Sequence, residues 1–260
     1  MTTAQDAWKH WIDQRVITVR APHGPLSLTG THWLRDLGPG VPGVPGRWEL
    51  DESGSCVALT ATRHDGLAVD DEPLDRTVRL CPDTAERPSR ITHGGRRLSL
   101  ILRDGEYAVR VFDPAAPARA SFAGIAAHPF TEDWALAARF SPYEAEQTVA
   151  VPNADGRDRG LALAGEVAFT APDGTARTLA VSRGVTGALS AVFGDAEERN
   201  YRFRFVELPA PAADGTTVLD FNRAFLPPCA FADHFLCPFP PPGNRLPLSV
   251  HAGERQVLRQ

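Results

Sequence analysis

The chain has 260 residues with 23 prolines and 22 glycines, and its hydrophobic fraction of 43% is high enough for a folded core. This content of helix breakers argues against a helical bundle, because an interior proline costs a helix about 3 kcal/mol. The net charge of −5 and the lack of a dense Lys/Arg block argue against nucleic-acid binding. No stretch matches a membrane span, and the polar N-terminus differs from a signal peptide, so we expect a cytoplasmic protein.

The first predicted element is a helix over residues 3–16. Thr3 can cap this helix, with Asp6 three residues later. Trp8 and Trp11 follow helical spacing and therefore share a face. We expect the helix to close one side of a β core.

Short runs of alternating residues follow, after a surface loop of glycine, proline and valine over 38–46. Asp-Gly and Gly-Gly pairs between the runs indicate hairpins. The predicted strands are Trp48–Leu50, Cys56–Thr60, Leu67–Val69, Thr77–Cys81, Leu98–Leu102, Ala108–Phe112, Trp134–Phe140, Thr148–Val151, Glu166–Thr170, Thr178–Val181, Leu189–Phe193, Tyr201–Glu207 and Val218–Phe221. The breaks between the first six include Glu52-Ser-Gly, His64-Asp-Gly, Asp71-Glu-Pro, His93-Gly-Gly and Arg103-Asp-Gly.

Strands every 8–12 residues are typical of an all-β sandwich or distorted barrel. We predict one domain over 1–260, because neither a repeat nor a clear linker interrupts the pattern. Its parts are an N-terminal helix and lead-in (1–22), a first β half (23–125), a second β half (126–219) and an irregular C-terminal segment (220–260).

The C-terminal segment is unusual because it combines many prolines with five phenylalanines, namely Phe221, Phe225, Phe231, Phe235 and Phe239. Prolines remove backbone donors, so regular secondary structure cannot hold the segment. Tertiary packing and side-chain hydrogen bonds to its backbone must fix it instead. A long ordered irregular segment in a compact domain is usually functional.

The same segment resembles the C-terminal signature of the bacterial DUF1684 family, whose function is not established. The matching residues are Asp220-Phe-Asn222, Pro227-Pro-Cys-Ala-Phe231, Cys237-Pro238, Pro240-Pro241, Asn244-Arg-Leu246 and Ala252-Gly-Glu254. Upstream matches are Leu26-Ser-Leu-Thr-Gly30, Trp33-Leu34, Tyr107-Ala-Val-Arg110, Asp113, Pro117, Arg119, Phe122, Gly124-Ile125, Trp134, Arg139-Phe140 and Val151-Pro-Asn153. The resemblance spans nearly the whole chain.

Departures from the family pattern make this member more apolar. Ala224-Phe225-Leu226 stands where the family usually has Ala-Tyr-Asn, His234 replaces a tyrosine, and the loop Asp195–Tyr201 is shortened and lacks the usual lysine. The resemblance also implies a forkhead-associated-like first half, with Leu67–Pro73 similar to its closing hairpin. The pattern that reads phosphothreonine is absent, so phosphopeptide binding is not expected.

Asp233-His234 is the first candidate catalytic pair. Histidine titrates near neutral pH, and His234 could act as general acid/base with Asp233 orienting it. The alternative is a histidine that only braces its loop.

Two cysteines of the segment leave several interpretations open. Cys229 could contact substrate, or act as a nucleophile beside a base, although its proline neighbours suit a buried structural thiol. Cys229 and Cys237 could also form a disulfide. A metal site with His234 and His251 is disfavoured, because the spacing matches no common ligand pattern. We therefore predict no metal and no cofactor.

Arg110 and Arg204 could each hold a substrate carboxylate through a bidentate contact. Either could instead pair with Asp220 and fasten the C-terminal segment. Asn222, Asn244 and Glu254 are expected to brace loop backbone, because amides and carboxylates satisfy the donors and acceptors of irregular chain.

Two classes of function remain. The first is a cofactor-independent enzyme that cyclises, isomerises or eliminates from a small, largely apolar metabolite, in the specialised metabolism of a bacterium. Its pocket would lie under the C-terminal segment, with Phe225 and Phe231 in its wall. The second is a non-catalytic module that binds a ligand or a protein. Neither class involves nucleic acid or a membrane.

Overall fold

The computed structural model describes residues 3–38, 40–51 and 56–260. The chain divides into two compact units. The N-terminal unit comprises Thr18–Ala120, and the C-terminal unit combines Met1–Ile17 with Ser121–Gln260. The single domain that the sequence suggested stays a prediction. Within the described residues, no helix has both the length and the apolar character that crossing a membrane requires.

The predicted N-terminal helix is present as α1, Ala4–Arg20. Thr3 caps it, since the Thr3 hydroxyl accepts a hydrogen bond from the Asp6 amide at 3.1 Å and the Thr3 amide donates to the Asp6 carboxylate at 3.4 Å. The Thr3 hydroxyl also donates to the Asp6 carboxylate at 2.7 Å, and this bond, together with the one from the Thr3 amide, lowers the pKa of Asp6. The helix starts where the local capping signal places it, and it runs four residues further than expected.

The described residues of the N-terminal unit form nine strands in two antiparallel sheets. In chain order they are β1 (Leu28–Trp33), β2 (Arg47–Leu50), β3 (Val57–Thr60), β4 (Leu67–Val69), β5 (Glu72–Pro73), β6 (Thr77–Leu80), β7 (Ile91–His93), β8 (Arg96–Arg103) and β9 (Glu106–Phe112). One sheet has the order β1-β9-β8-β7-β4-β5, and the other has β2-β3-β6. Two short helices, α2 (Leu34–Leu37) and α3 (Pro117–Ala120), complete the unit. Trp48, Leu59, Ile91 and Val109 lie in its core.

Tight turns join several of these strands as the sequence predicted. Asp70-Asp71, Gly94-Gly95 and Asp104-Gly105 all have positive φ angles, which is the requirement of a two-residue turn that follows the strand twist. The hairpin within Leu67–Pro73 is thereby confirmed, with Ala68 opposite Pro73. The Glu52-Ser-Gly break lies outside the described residues, and the forkhead-associated likeness stays a prediction.

The C-terminal unit contains eight strands, and most belong to one curled antiparallel sheet. They are β10 (Phe122–Ala127), β11 (Ala135–Pro152), β12 (Asp158–Thr170), β13 (Ala176–Arg183), β14 (Leu189–Phe193), β15 (Arg204–Leu208), β16 (Thr216–Asp220) and β17 (Glu254–Arg259). The sheet order is β15-β14-β13-β12-β11-β16. Its edge strands β15 and β16 lie beside each other, so the sheet is a nearly closed barrel. This arrangement confirms the all-β sandwich or distorted barrel.

Aromatic side chains fill the inside of this barrel. The ring of Phe221 packs edge-on against Trp134, Phe169 and Phe193, with centroid distances of 5.6, 5.8 and 5.2 Å. Edge-to-face contacts at such distances are favourable. Phe221 opens the C-terminal segment, so the core of the barrel fixes the point from which that segment departs.

Several features differ from the sequence prediction. Trp134–Phe140 and Thr148–Val151 belong to one long strand, β11, whose pairing with β12 shifts register between Pro142 and Gln147. The short strand β7 was missed. The pair β10 and β17, whose members are more than 100 residues apart in sequence, was also missed. Local periodicity carries no information on so distant a pairing partner.

The side-chain amide of Asn244 connects the C-terminal segment to the barrel sheet. Asn244 is almost fully buried. Its side-chain amide donates to the carbonyl oxygens of Ala180 and Val192, and its carbonyl accepts from the Ala180 amide at 2.8 Å. The backbone of Arg245 bridges to Gly194. The segment thereby supplies the hydrogen bonds that β13 and β14 do not give each other along their full length.

We predict that Asn244→Ala lowers the free energy of unfolding by at least about 2 kcal/mol, because two buried carbonyls and one amide lose their partners. Urea unfolding followed by circular dichroism measures this loss. The control Ser249→Ala, a few residues along the same segment, should change stability by less than about 0.5 kcal/mol. Equal effects of the two substitutions would contradict the bracing role of Asn244.

Candidate functional site: a covered cavity and the segment that covers it

The C-terminal segment is fastened by one buried guanidinium. Arg204, on β15, is fully buried. It donates to the carboxylate of Asp195 at 2.9 Å and to the backbone carbonyl oxygens of Val250, Ala252 and Glu254 at 2.5 to 3.3 Å. Asp195 in turn accepts hydrogen bonds from the amides of its own loop and of the segment. Every described partner of this guanidinium is therefore structural.

A second ion pair joins the N-terminal helix to the same segment. Arg15 donates to the Glu254 carboxylate through Nε at 2.7 Å and through Nη2 at 3.1 Å. Glu254 is fully buried and also accepts from the Leu226 amide at 2.7 Å. The Arg15 guanidinium lies over the ring of Phe225, 4.8 Å from its centroid. Trp8 adds a hydrogen bond from its indole nitrogen to the Asn222 carbonyl oxygen, at 3.0 Å.

The three residues predicted as braces have that role. Asn222 is fully buried and bonds both the amide and the carbonyl of Thr131. Asn244 bonds Ala180 and Val192, and Glu254 holds Leu226 as described above. Side chains thus replace a regular hydrogen-bond ladder along the segment, as its prolines require.

Beneath the fastened segment lies a cavity of about 250 Å³. Its floor is the outer face of the sheet, to which β13, β14 and β15 contribute Ala180, Val192 and Phe205. Phe225, Pro238 and Pro241 of the segment cover it, while β12 adds Leu161 and Leu163. The lining is mainly apolar, and the polar side chains in it are Ser182, Ser190 and Glu207.

A more open cavity of about 450 Å³ adjoins the covered one. Phe225 and Glu207 line both, so they form the shared wall. Trp11 of the helix, Val218 of β16, Asp220 and Arg223 line the open side. Glu207 makes no side-chain hydrogen bond or ion pair with any residue that the structure describes, so its carboxylate is available to a ligand.

The predicted catalytic pair lies elsewhere. Asp233 and His234 are both exposed, at a turn of the segment, and neither lines the covered or the open cavity. The sequence predicts that His234 lies beside an enclosed substrate. At this exposed position neither cavity encloses the side chain, and catalysis by this pair stays a prediction.

Four residues were predicted to contact substrate besides that pair and Phe225. Arg204 is fully buried and fastens the segment through Asp195 and backbone carbonyls rather than through Asp220, so its role as a substrate ligand stays a prediction. Arg110 lies half-buried on β9 of the N-terminal unit. Phe231 is packed in the interior with 1% of its surface exposed. Cys229 is buried outside both cavities.

All four cysteines are free thiols in the structure, so the alternative of a Cys229–Cys237 disulfide is not formed there. The Cys229 amide donates to the Cys237 sulfur at 3.3 Å. A hydrogen bond with the Cys237 side chain lowers the pKa of Cys229, and burial raises the pKa of the neighbouring Tyr201 to about 12. Among the described residues, no group of three or more His, Cys, Asp or Glu side chains could hold a metal ion.

Sequence reasoning missed Glu207, Val192 and Phe205. One signal was present in the sequence. In Arg204-Phe-Val-Glu-Leu208 the outward position 205 is aromatic, although the inward residues Val206 and Leu208 already supply the core face. An apolar residue on both faces of a strand indicates that something covers the outer face. Here the C-terminal segment is the cover.

The buried His128 is connected to Asp195 through the side chain of Asn200. His128 lies against Asn200, whose side-chain oxygen is 2.8 Å from His128 Nε2. The Asn200 amide donates to the Asp195 carboxylate and to the Val250 carbonyl oxygen. Burial lowers the pKa of His128, and the nearby Arg204, Arg255 and His251 act in the same direction. His128 is therefore neutral in the fold at neutral pH.

Comparisons with known proteins agree with the resemblance found in the sequence. The model of the family described as "Protein of unknown function (DUF1684)" matches residues 120–255. An NMR structure of an uncharacterized protein from Haloarcula marismortui is 30% identical, with a TM-score of 0.43, and the match covers 52% of this chain and 77% of that one. A search of curated proteins found no match. The motifs noted before residue 120 lie outside the family match.

We predict that the stability of the protein decreases as pH falls below about 6.5, the ordinary pKa of histidine. In that pH range His128 binds a proton in the unfolded chain, whereas the folded protein keeps its side chain neutral. Protonation therefore stabilises the unfolded state relative to the folded one. Melting temperatures between pH 7.5 and 5 measure the decrease. His128→Gln should flatten it, and His10→Gln, on the exposed side of α1, should not. Identical pH profiles for His128→Gln and the parent chain would refute the assignment.

Proposed function

We propose that this chain, which belongs to the DUF1684 family, binds a small, largely apolar molecule in the covered cavity beneath its C-terminal segment. The observation that carries the proposal is the cavity itself, which has an aromatic and aliphatic lining and few polar groups. Ligand sites in proteins are typically lined in this way. A protein of bacterial specialised metabolism would encounter small, largely apolar molecules of this kind.

The size of the cavity limits the ligand. An apolar cavity of roughly 150 Å³ in another protein takes up benzene. The cavity here measures about 250 Å³, so it suits a single substituted ring or a short branched chain. Ser182 uses its hydroxyl to donate to the Ala162 carbonyl oxygen, which leaves Ser190 and Glu207 as the groups that can bond a polar substituent.

Catalysis in the same cavity is a second candidate, favoured by the unpaired carboxylate of Glu207. A carboxylate beside an apolar ligand can accept a proton as a general base, and such a base suits isomerisation or elimination without a cofactor. In this scheme Glu207, rather than His234, is the catalytic residue.

The binding proposal is tested with fragments that fit the cavity: indole, para-cresol and toluene. Saturation-transfer NMR on the full chain should detect at least one of them. Val192→Phe places a ring in the cavity and should abolish the signal, because the added volume occupies the ligand space. Val185→Phe introduces the same ring at a fully exposed position between β13 and β14 and should leave the signal unchanged.

Two results would overturn the proposal. One is that none of the three fragments binds at millimolar concentration. The other is that binding persists in Val192→Phe with the parent affinity, which would place the ligand outside the covered cavity.

Glu207→Gln separates the two candidate functions. A substituted ring should still bind to this variant, because glutamine keeps the size and shape of the side chain. If a turnover reaction is found for the parent chain, Glu207→Gln should reduce its rate by about two orders of magnitude or more. Full turnover in Glu207→Gln would exclude Glu207 as the general base.

A further inference from the structure

A second concave surface, which we name the arginine trough, lies on the outer face of the barrel sheet. It has a volume of about 710 Å³ and is open to solvent. Strands β11, β12, β13 and β16 form its floor, and residues 243–247 of the C-terminal segment form one wall. It shares no lining residue with the covered cavity, so it constitutes a separate site.

The floor is deep because its outward-facing residues are small. Neighbouring strands place Ala137, Ala168, Ala176 and several threonines side by side on the exposed face. The register confirms the alignment, with Ala168 opposite Thr178 and Thr170 opposite Ala176. Short side chains leave room above the sheet, so the longer side chains at the edges form walls.

The longer side chains at its edges are those of Arg139 and Arg245. Arg177 also lines the trough, but its register partner is the buried Phe169, so its side chain leaves the other face of β13. No carboxylate lines the trough, so its lining carries a net positive charge. A positively lined cleft concentrates anions from solution.

The existing contacts leave much of this charge unsatisfied. Arg139 donates to the backbone carbonyl oxygen of Asp214. Arg177 donates to the Ala176 carbonyl oxygen at 3.1 Å, its nearest carboxylate (Asp173) is 3.9 Å away, and its Nε is buried without a hydrogen-bond partner. Arg245 makes no side-chain hydrogen bond or ion pair with any described residue. Among the residues that the structure describes, Arg139 and Arg245 therefore leave most of their guanidinium donors without a protein acceptor.

We propose that the arginine trough binds a small molecule that carries a phosphate monoester beside a flat apolar group. A phosphate offers three strong acceptor oxygens and a double negative charge, which matches several guanidiniums better than one carboxylate does. The threonine hydroxyls at positions 170 and 178 add donors on the floor, and the alanines provide an apolar surface for the remainder of the ligand. The volume lies within the usual range for ligand sites, roughly 300 to 1,000 Å³.

Phenyl phosphate is the simplest probe of that chemistry. Added to the full-length chain, it should shift the amide NMR signals of Thr178 and Gly243 and bind with a dissociation constant below about 1 mM at low salt. Benzoate should bind at least about ten times more weakly, and phenol should not bind. The affinity for phenyl phosphate should fall as salt is raised, because charge contacts are screened.

Substitutions locate the site. Arg139→Gln and Arg245→Gln should each weaken phenyl phosphate binding by about tenfold or more. Both side chains are exposed, so their replacement leaves the fold intact. Arg183→Gln is the matched control, since Arg183 lies on β13, one of the floor strands, but stacks on Phe140 outside the trough.

The proposal is overturned if phenyl phosphate shifts neither amide signal at 10 mM. It is also overturned if benzoate binds as tightly as phenyl phosphate, or if Arg183→Gln weakens binding as much as Arg245→Gln. The fragment experiment on the covered cavity is independent, because Val192→Phe changes no residue of the trough.

Discussion

The buried guanidinium of Arg204 is the constraint on which the C-terminal unit depends. A charge removed from water must be paired and hydrogen-bonded, or it costs several kcal/mol. Arg204 meets this requirement with one carboxylate, Asp195, and with three carbonyl oxygens from Val250, Ala252 and Glu254. The first two of those carbonyls belong to the segment between β16 and β17, which has no helix or strand of its own apart from single 3-10 turns, and the third belongs to the first residue of β17. Burial of the Arg204 charge and the position of the segment therefore depend on each other, because the carbonyl oxygens of the segment accept the hydrogen bonds of the guanidinium.

The path of the segment follows from this anchor and from a few further contacts. Phe221 fixes its start in the aromatic core. Arg15 and Glu254 hold its end, and Asn244 fastens its middle to the sheet. Between these points the prolines limit the conformations that the chain can take. The segment therefore spans the outer face of β13 and β14 as a rigid strap, and both concave surfaces lie along it.

Both proposed binding sites thus lie where the strap covers the sheet incompletely. Where the strap lies over small outward residues such as Ala180 and Val192, it leaves an apolar cavity. Where residues 243–247 of the strap lie beside the exposed face of β11, β12 and β13, they leave an open, positively charged trough. The two surfaces differ in the chemistry of their walls, which is why we assign them different ligands.

The sequence predicted the features that depend on neighbouring residues. Thr3 and Asp6 define a cap, Asp104-Gly105 defines a turn, and Asn222 has to brace an irregular loop; each follows from local chemistry. Features that depend on distant residues were not predictable. No periodicity in the sequence indicates that β10 pairs with β17, and no motif indicates that Asp195 forms an ion pair with Arg204. His234 looked functional because it replaces a tyrosine, but exposure is a property of the tertiary structure, which the substitution pattern does not contain.

Amide hydrogen exchange in Arg204→Met tests the central role of this arginine most directly. The account predicts fast exchange at the amides of Phe225, Leu246 and Glu254, which bond Phe205, Gly194 and Ala224, while the amides of β11 and β12 stay protected. Arg204→Lys, which keeps the charge but not the planar fork, should show the same pattern to a smaller degree. Arg199→Met, at an exposed ion pair, should exchange like the parent chain. Unchanged protection of Leu246 and Glu254 in Arg204→Met would contradict the account.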